Sequence, residues 1–210
     1  MKFKDCGSTP LGIYPVVERA YKLEALYQSG ISTAQLRVKD RQGDALEKEI
    51  IEAINISQRH DARLFVNDFW ELAIKHNAYG IHLGQEDIVE ANIEAIYDAG
   101  IRLGISTHTT DEIKIALDIE PSYVAIGPIY ETTSKKMVYN PVGIEDLKRW
   151  SEGVSYPVVA IGGINLHTIQ SVVDAQSADG IAMIQGVLEH GEVSKEKTVK
   201  LIEIFNNKSK

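Results

Sequence analysis

Eight short apolar runs recur along this chain about every 24 residues, each separated from the next by a stretch of helical periodicity. They cover residues 12–17, 33–38, 63–66, 80–83, 103–106, 123–126, 158–161 and 180–184. Between them the apolar residues fall three and four apart, as in the stripe Leu46, Ile50, Ile51 and Ile54, or Ile113, Ala116 and Leu117. Strand–helix alternation demands parallel strands joined by crossover helices. Runs such as PVVAIGG and YVAIG are apolar without interruption, which suits strands covered on both faces. Eight such units predict a small (β/α)8 TIM barrel of the α/β class, one domain over residues 1–210. The third unit, from Arg63 to Gly80, is short, and its helix over 70–76 is expected to make only about two turns. A weak internal echo, Ala78-Tyr-Gly-Ile-His against Ala178-Asp-Gly-Ile-Ala, supports repetition. A doubly wound open sheet would need an early G-x-G-x-x-G, which the sequence lacks.

Composition narrows the function. The 210 residues carry 44% hydrophobic and 25% charged side chains, the balance of a globular chain. A net charge of −8 argues against non-specific binding to nucleic acid or an anionic membrane, so any anionic ligand needs a local basic cluster. Cys6 is the only cysteine, which excludes an intrachain disulfide and a cysteine-based metal site. The start MKFKDCGSTPLG has no long apolar run, and a cytoplasmic location is expected.

In a barrel, ligands bind where strands end and the following loops begin. Gln35, Arg37 and Lys39 share one face of the second strand, and two cations with an amide suit a diphosphate. A solvated strand end, paired with Asp40 or Asp44, is the structural alternative. Asn67-Asp68 and the segment His82-Leu83-Gly84-Gln85-Glu86-Asp87 each deliver a carboxylate to the same rim. Two carboxylates leave positions on Mg²⁺ for substrate phosphate, although Asp68 and Asp87 also fall where helix N-caps belong. Ser106 and His108 end the fifth strand, Thr109 and Glu112 spell a capping box, and a loop histidine such as His108 is commonly just a hydrogen-bonded surface group. Residues 128–140 form the longest irregular stretch, where Thr132, Ser134 and Lys135 offer a phosphate grip beneath a lid, or an ordinary surface loop. Gly162-Gly163 after the seventh strand and Ile184-Gln185-Gly186 after the eighth suit a second phosphate, held by backbone N–H groups. Two anion sites on one rim point to joining a diphosphate substrate to a monophosphate substrate.

The segments QLRVK, VNDFWELA, GIHLGQED, GISTHT, AIGPIYETTSKK and AIGGI occur in this order, and with them the chain resembles the thiamine-phosphate synthase (thiamine-phosphate pyrophosphorylase) family from Gly12 to about Gly186. The resemblance implies a (β/α)8 barrel that joins hydroxymethylpyrimidine diphosphate to a thiazole phosphate and releases diphosphate with Mg²⁺ as cofactor. By motif, Gln35, Arg37, Lys39, Asn67, Ser106 and Lys135 would hold the pyrimidine diphosphate, with Arg37, Ser106 and Lys135 catalytic. Asp68 and Asp87 would bind Mg²⁺. Thr132, Ser134, Gly163, Ile184 and Gln185 would contact the thiazole phosphate. The implied partners are these small molecules, without nucleic acid or membrane, and small barrels of this kind often form homodimers.

Two positions depart from the family pattern. Gln185 stands where the family usually has Ser or Thr, so a bulkier amide either crowds the thiazole phosphate or donates to it. Ser134 stands for the more usual threonine. A sister family, the thiazole tautomerases, shares the barrel and a Ser-x-His segment like Ser106-Thr-His108 whose histidine transfers the proton, but tends to lack the Asn-Asp pair and the acidic residue matching Asp87. A barrel that binds thiamine precursors without turnover is a third alternative, against which Lys39, Lys135 and both aspartates argue, because a binder needs no leaving-group activation.

Overall fold

The computed structural model describes residues 1–132 and 139–207. Eight parallel strands close into a barrel in sequence order: β1 (Gly12–Val17), β2 (Thr33–Leu36), β3 (Arg63–Asn67), β4 (Gly80–Leu83), β5 (Arg102–Thr107), β6 (Tyr123–Ile126), β7 (Val158–Ile161) and β8 (Gly180–Met183). The ring shuts where Gly12 to Pro15 of β1 pair with Gly180 to Met183 of β8. The crossovers carry α1 (Tyr21–Gln28), α2 (Gly43–Arg59), α3 (Trp70–Lys75), α4 (Gln85–Glu90), α5 (Ile93–Asp98), α6 (Thr110–Asp118), α7 (Gly143–Ser151) and α8 (Ile169–Asp174). A small hairpin, β9 (Leu188–Glu189) and β10 (Glu192–Val193), precedes α9 (Lys195–Asn206).

The eight expected runs are the eight barrel strands, four of them with the same ends and four shifted by one or two residues. The short α3 also matches its expected span to within one residue. Two features escaped the sequence pattern. The crossover from β4 to β5 holds two helices, and the two-residue strands of the hairpin after β8 are too short for any periodicity to show.

Side-chain parity divides the protein into two apolar clusters. Ile81, Leu83, Leu103, Ile105, Val124, Ile126, Val158 and Ala160 face the helices and join one large cluster. Tyr14, Phe65, Tyr123, Ala125, Val159 and Ala182 face inward and form a separate one. Three rings therefore fill the barrel axis: Tyr123 meets Phe65 edge-on at 5.1 Å and Tyr14 at 5.9 Å. Glycine makes room for them. A methyl on Gly104 would lie 2.1 Å from the Tyr123 ring, and one on Gly80 would lie 2.5 Å from Phe65. The shared glycines of the internal echo, Gly80 and Gly180, are thus the first residues of β4 and β8, where inward bulk has no space.

The far end of the barrel is plugged. Arg63 donates to the backbone carbonyls of Cys6, Thr9 and Pro10, tying the N-terminal segment across the opening. Burial pushes the Cys6 thiol up to about 11, which leaves it protonated at neutral pH. With that end shut, the cavity lies at the C-terminal ends of the strands.

Gly104→Ala should destabilise the fold by about 2–3 kcal/mol, because the Tyr123 ring is enclosed and has nowhere to shift. Urea unfolding followed by circular dichroism measures this, and an unchanged midpoint would contradict the tight packing.

Candidate active site

The cavity at the open end is lined from all eight strands and their loops, with Val16 contributed by β1. Gln35, Arg37 and Lys39 follow from β2, Asn67 and Asp68 from β3, His82 and Asp87 from β4, and Ser106 and His108 from β5. Pro128 and Thr132 come after β6, and Ile161, Gly162 and Ile184 come from the last two strands. Alternation explains the selection. Gln35, Asn67, His82 and Ser106 have the parity of the inward rings but sit nearer the strand ends, so they form a polar layer above the aromatic one.

The Lys39 ammonium pairs with the Asp68 carboxylate, and the alternative pairing of this cluster with Asp40 or Asp44 does not form. Asp40 pairs instead with Arg19. The Asp87 and Asp68 carboxylates contact each other. Burial, and then the neighbouring Asp68 charge, push the Asp87 carboxyl above its usual range, while the Gly84 N–H and Lys39 oppose the rise. Asp87 sits in the first turn of α4 and its Oδ2 accepts from the Gly84 N–H at 3.1 Å, so the N-capping expectation is met in part, by reaching back from inside the helix. For Asp68 the expectation fails. Phe69 is the N-cap residue of α3, without a side-chain cap, and the Asp68 carboxylate faces Lys39 and Asp87 instead.

The Asp68 backbone is also unusual. Its φ of 66° lies in the left-handed region. Asp61, Asn77, Glu120 and Gln176 share that sign, but each follows a helix, where a left-handed residue ends the last turn, and His190 lies in the turn between β9 and β10. Asp68 follows a strand, so its conformation serves to turn the carboxylate into the rim.

His108 is held firmly. Its Nδ1 lies 2.8 Å from Glu112 Oε2, and its ring stacks on Tyr139 at 4.4 Å, with Tyr139 donating to Glu112 Oε1. The expected capping box is half formed: Thr109 Oγ1 accepts from the Glu112 N–H, but the Glu112 carboxylate accepts from His108 rather than from Thr109. His60 and His76 pair with Glu24 and Glu47 on the outside of the barrel.

A second cavity shares Thr132, Ile161, Gly162 and Ile184 with the first and adds Gly163, Asn165, Gln185 and Gly186. The glycine pair has a structural role of its own. Ile129 and Tyr130 donate to the carbonyls of Ile161 and Gly162, and a methyl on Gly163 would lie 2.5 Å from the Glu131 carbonyl oxygen. Gln185 is solvent-exposed at the edge of this cavity. Of the expected site residues, Ser134 and Lys135 lie outside the described residues. Among the described residues no group of three or more His, Cys, Asp or Glu gathers around one point, and no helix is long and apolar enough to cross a membrane.

Neither Tyr14 nor Tyr123 stands out in the sequence, and His82 does so only as the first residue of the segment that brings Asp87 to the rim. His82 is buried and bonded at both ring nitrogens, to Tyr123 and to Ser106. The available signal was parity, since His82 and Ser106 lie two residues beyond Gly80 and Gly104, which leave space for rings.

The structure is thus a closed (β/α)8 barrel with a cationic, carboxylate-bearing pocket beside a glycine-lined one at its C-terminal rim. Residues 13–187 match the family model described as thiamine monophosphate synthase. A thiamine-phosphate synthase of Salmonella schwarzengrund (strain CVM19633) is 45% identical over 195 residues, 92% of this chain and 92% of the relative. One from Proteus mirabilis (strain HI4320) is 44% identical over 199 residues, 94% of this chain and 92% of the relative. The solved thiamine phosphate pyrophosphorylase from Pyrococcus furiosus superposes with a TM-score of 0.82 at 25% identity, covering 95% of this chain and 98% of that one. The chain belongs to the thiamine monophosphate synthase family, whose members are transferases of thiamine biosynthesis.

Asp87→Asn keeps an acceptor for the Gly84 N–H and removes the repulsion by Asp68. A raised carboxyl pKa means that ionisation costs the folded state stability, and that this cost fades as pH falls through the folded pKa. The variant should therefore melt about 2–4 °C higher than the parent at pH 7.5, with the difference shrinking toward acid pH. Thermal melts across pH check this, and equal melting temperatures at pH 7.5 would contradict it.

Proposed function

We propose that this chain makes thiamine phosphate by joining hydroxymethylpyrimidine diphosphate to thiazole phosphate, with release of diphosphate. The observation that carries the proposal is the convergence of Gln35, Arg37, Lys39, Asn67, Asp68, Asp87 and Ser106 on one cavity that shares a wall with the glycine-lined one. Gln35 and Asn67 hold the pyrimidine diphosphate from the barrel side, and Arg37 and Lys39 meet its phosphoryl oxygens. By motif, Lys135 is assigned to the same diphosphate. Thr132, Ser134, Gly163, Ile184 and Gln185 receive the thiazole phosphate, so the two substrates meet where the cavities share Thr132 and Ile184.

The reaction then runs in two steps. The bond from the pyrimidine methylene carbon to the diphosphate oxygen breaks, and its electron pair leaves with the diphosphate. Arg37, Lys39, Lys135 and the Ser106 hydroxyl stabilise that growing charge. The cation left on the methylene is delocalised by the ring amino group, and the thiazole nitrogen gives its lone pair to form the new C–N bond. No side chain has to remove a proton, so the catalytic work is positioning, charge stabilisation and exclusion of water.

Mg²⁺ fits the donor set. Asp68 and Asp87 are neighbouring hard oxygen donors, and burial, then the Asp68 charge, push the Asp87 carboxyl up, so a cation between them would be welcome. These two aspartates would hold the ion, which when bound supplies charge neutralisation for the departing diphosphate. Lys39 partly fills that place through its ion pair with Asp68.

Proton transfer by His108, as in a thiazole tautomerase, is not adopted, because Glu112 and Tyr139 engage its ring and the curated relatives at 44–45% identity are synthases. Two small-molecule substrates, with neither nucleic acid nor membrane involved, agree with the net charge of −8 and with a cytoplasmic setting. A homodimer is compatible with the proposal, and sedimentation of the purified protein would test it.

The experiment is to incubate the purified protein with Mg²⁺ and both substrates and to measure thiamine phosphate. Asp68→Ala, Lys39→Ala and Lys135→Ala should each lower kcat by about 100-fold or more. Absence of product from the unmodified protein would overturn the proposal. Gln185→Ser should lower KM for thiazole phosphate by about fivefold, the worth of one added hydrogen bond to an anion, and an increase would show that the Gln185 amide itself donates.

A further inference from the structure

Four polar side chains run in single file from the barrel axis to the cavity. Tyr14 Oη lies 2.9 Å from Tyr123 Oη. Tyr123 Oη lies 2.6 Å from His82 Nδ1, and His82 Nε2 lies 2.7 Å from Ser106 Oγ. Tyr14, Tyr123 and His82 are 1%, 0% and 5% exposed, whereas Ser106 reaches the cavity. The imidazole also stacks on the Tyr123 ring, with 19° between the planes, which restrains its orientation. A fold that needed only to fill this space would use apolar side chains. Buried hydroxyls bonded in a row impose a direction on one another.

The direction matters at Ser106. A neutral imidazole has one N–H, so the bond at Nδ1 decides the bond at Nε2. When Tyr123 donates to Nδ1, the proton sits on Nε2 and is donated to Ser106 Oγ, which leaves the serine proton for the cavity. When Nδ1 donates to Tyr123, the serine must give its proton to Nε2 and can only accept from a ligand. A fully ionised diphosphate offers acceptors alone, so only the first arrangement serves it. Tyr123 has one proton, so when that proton goes to His82 the bond between the two phenols is donated by Tyr14.

We propose that Tyr123 and His82 are positioning residues that fix the Nε2–H tautomer of His82 and so hold Ser106 as a hydrogen-bond donor toward the substrate diphosphate. The part of this concerning the diphosphate rests on the synthase function proposed above. The part concerning the tautomer does not.

Long-range ¹H–¹⁵N NMR of the full chain, labelled at histidine, reads the tautomer without turnover. The parent should show His82 with a protonated Nε2 and an unprotonated Nδ1, and Tyr123→Phe should lose that preference. In the assay, Tyr123→Phe should lower kcat about tenfold with KM for thiazole phosphate unchanged, and should cost nothing further in a Ser106→Ala background. Should Tyr123→Phe fail to fold, Tyr14→Phe removes the preceding link and is expected to shift the tautomer in the same sense with a smaller loss of kcat. A parent spectrum with the proton on Nδ1, or a full additive loss in the double variant, would overturn the inference. A parent with the Nε2–H tautomer but no product would instead count against the synthase function alone.

Discussion

A parallel barrel can close only if its axis is filled, and here three aromatic rings fill it. Tyr14, Phe65 and Tyr123 come from three different strands and form one buried layer, in which Tyr123 meets both others edge to face and Tyr14 tilts against Phe65. Their bulk obliges β4 and β5 to carry glycine opposite, at Gly80 and Gly104. The same strands continue outward by two residues to His82 and Ser106, so the spacing that fits rings to glycines also fixes where polar groups meet the cavity. Packing and site geometry are thus one consequence of strand parity. An inserted residue in β4 or β5 would disturb both together.

Electrostatics works against the grain of the whole chain. In a molecule of net charge −8, Arg37 and Lys39 stand at the opening beside two carboxylates. Lys39 is held by Asp68, while burial and the Asp68 charge together raise Asp87, so only one of the two carboxylates has a cation of its own. Such an arrangement sacrifices some stability for readiness to accept a cation or an anionic ligand.

Much of this was legible in the sequence. The strand count and the placement of Gln35, Arg37, Lys39, Asn67, Asp68, Asp87 and Ser106 around one opening followed from apolar runs and from the residue types that end them. What escaped notice depended on distant partners. Asp68 looks like a helix cap because Asp often is one, and only the left-handed backbone after β3 shows its carboxylate turned elsewhere. Glu112 looked committed to Thr109, but its carboxylate goes to His108, a partner one residue earlier. His82 bonds Tyr123, which is 41 residues away in the chain, and no local pattern announces that pairing. The double helix between β4 and β5 was hidden because both pieces are only six residues long.

The left-handed backbone at Asp68 also bears on how such a site can change over evolutionary time. Asn and Gly accept that conformation as readily as Asp, whereas branched or bulky residues do not. Drift at this position is therefore channelled toward uncharged residues that leave the barrel intact. A lineage released from selection for chemistry would lose its carboxylate here early and quietly, while its fold persisted. The position is constrained twice, by shape and by charge, and only the second constraint reports on activity.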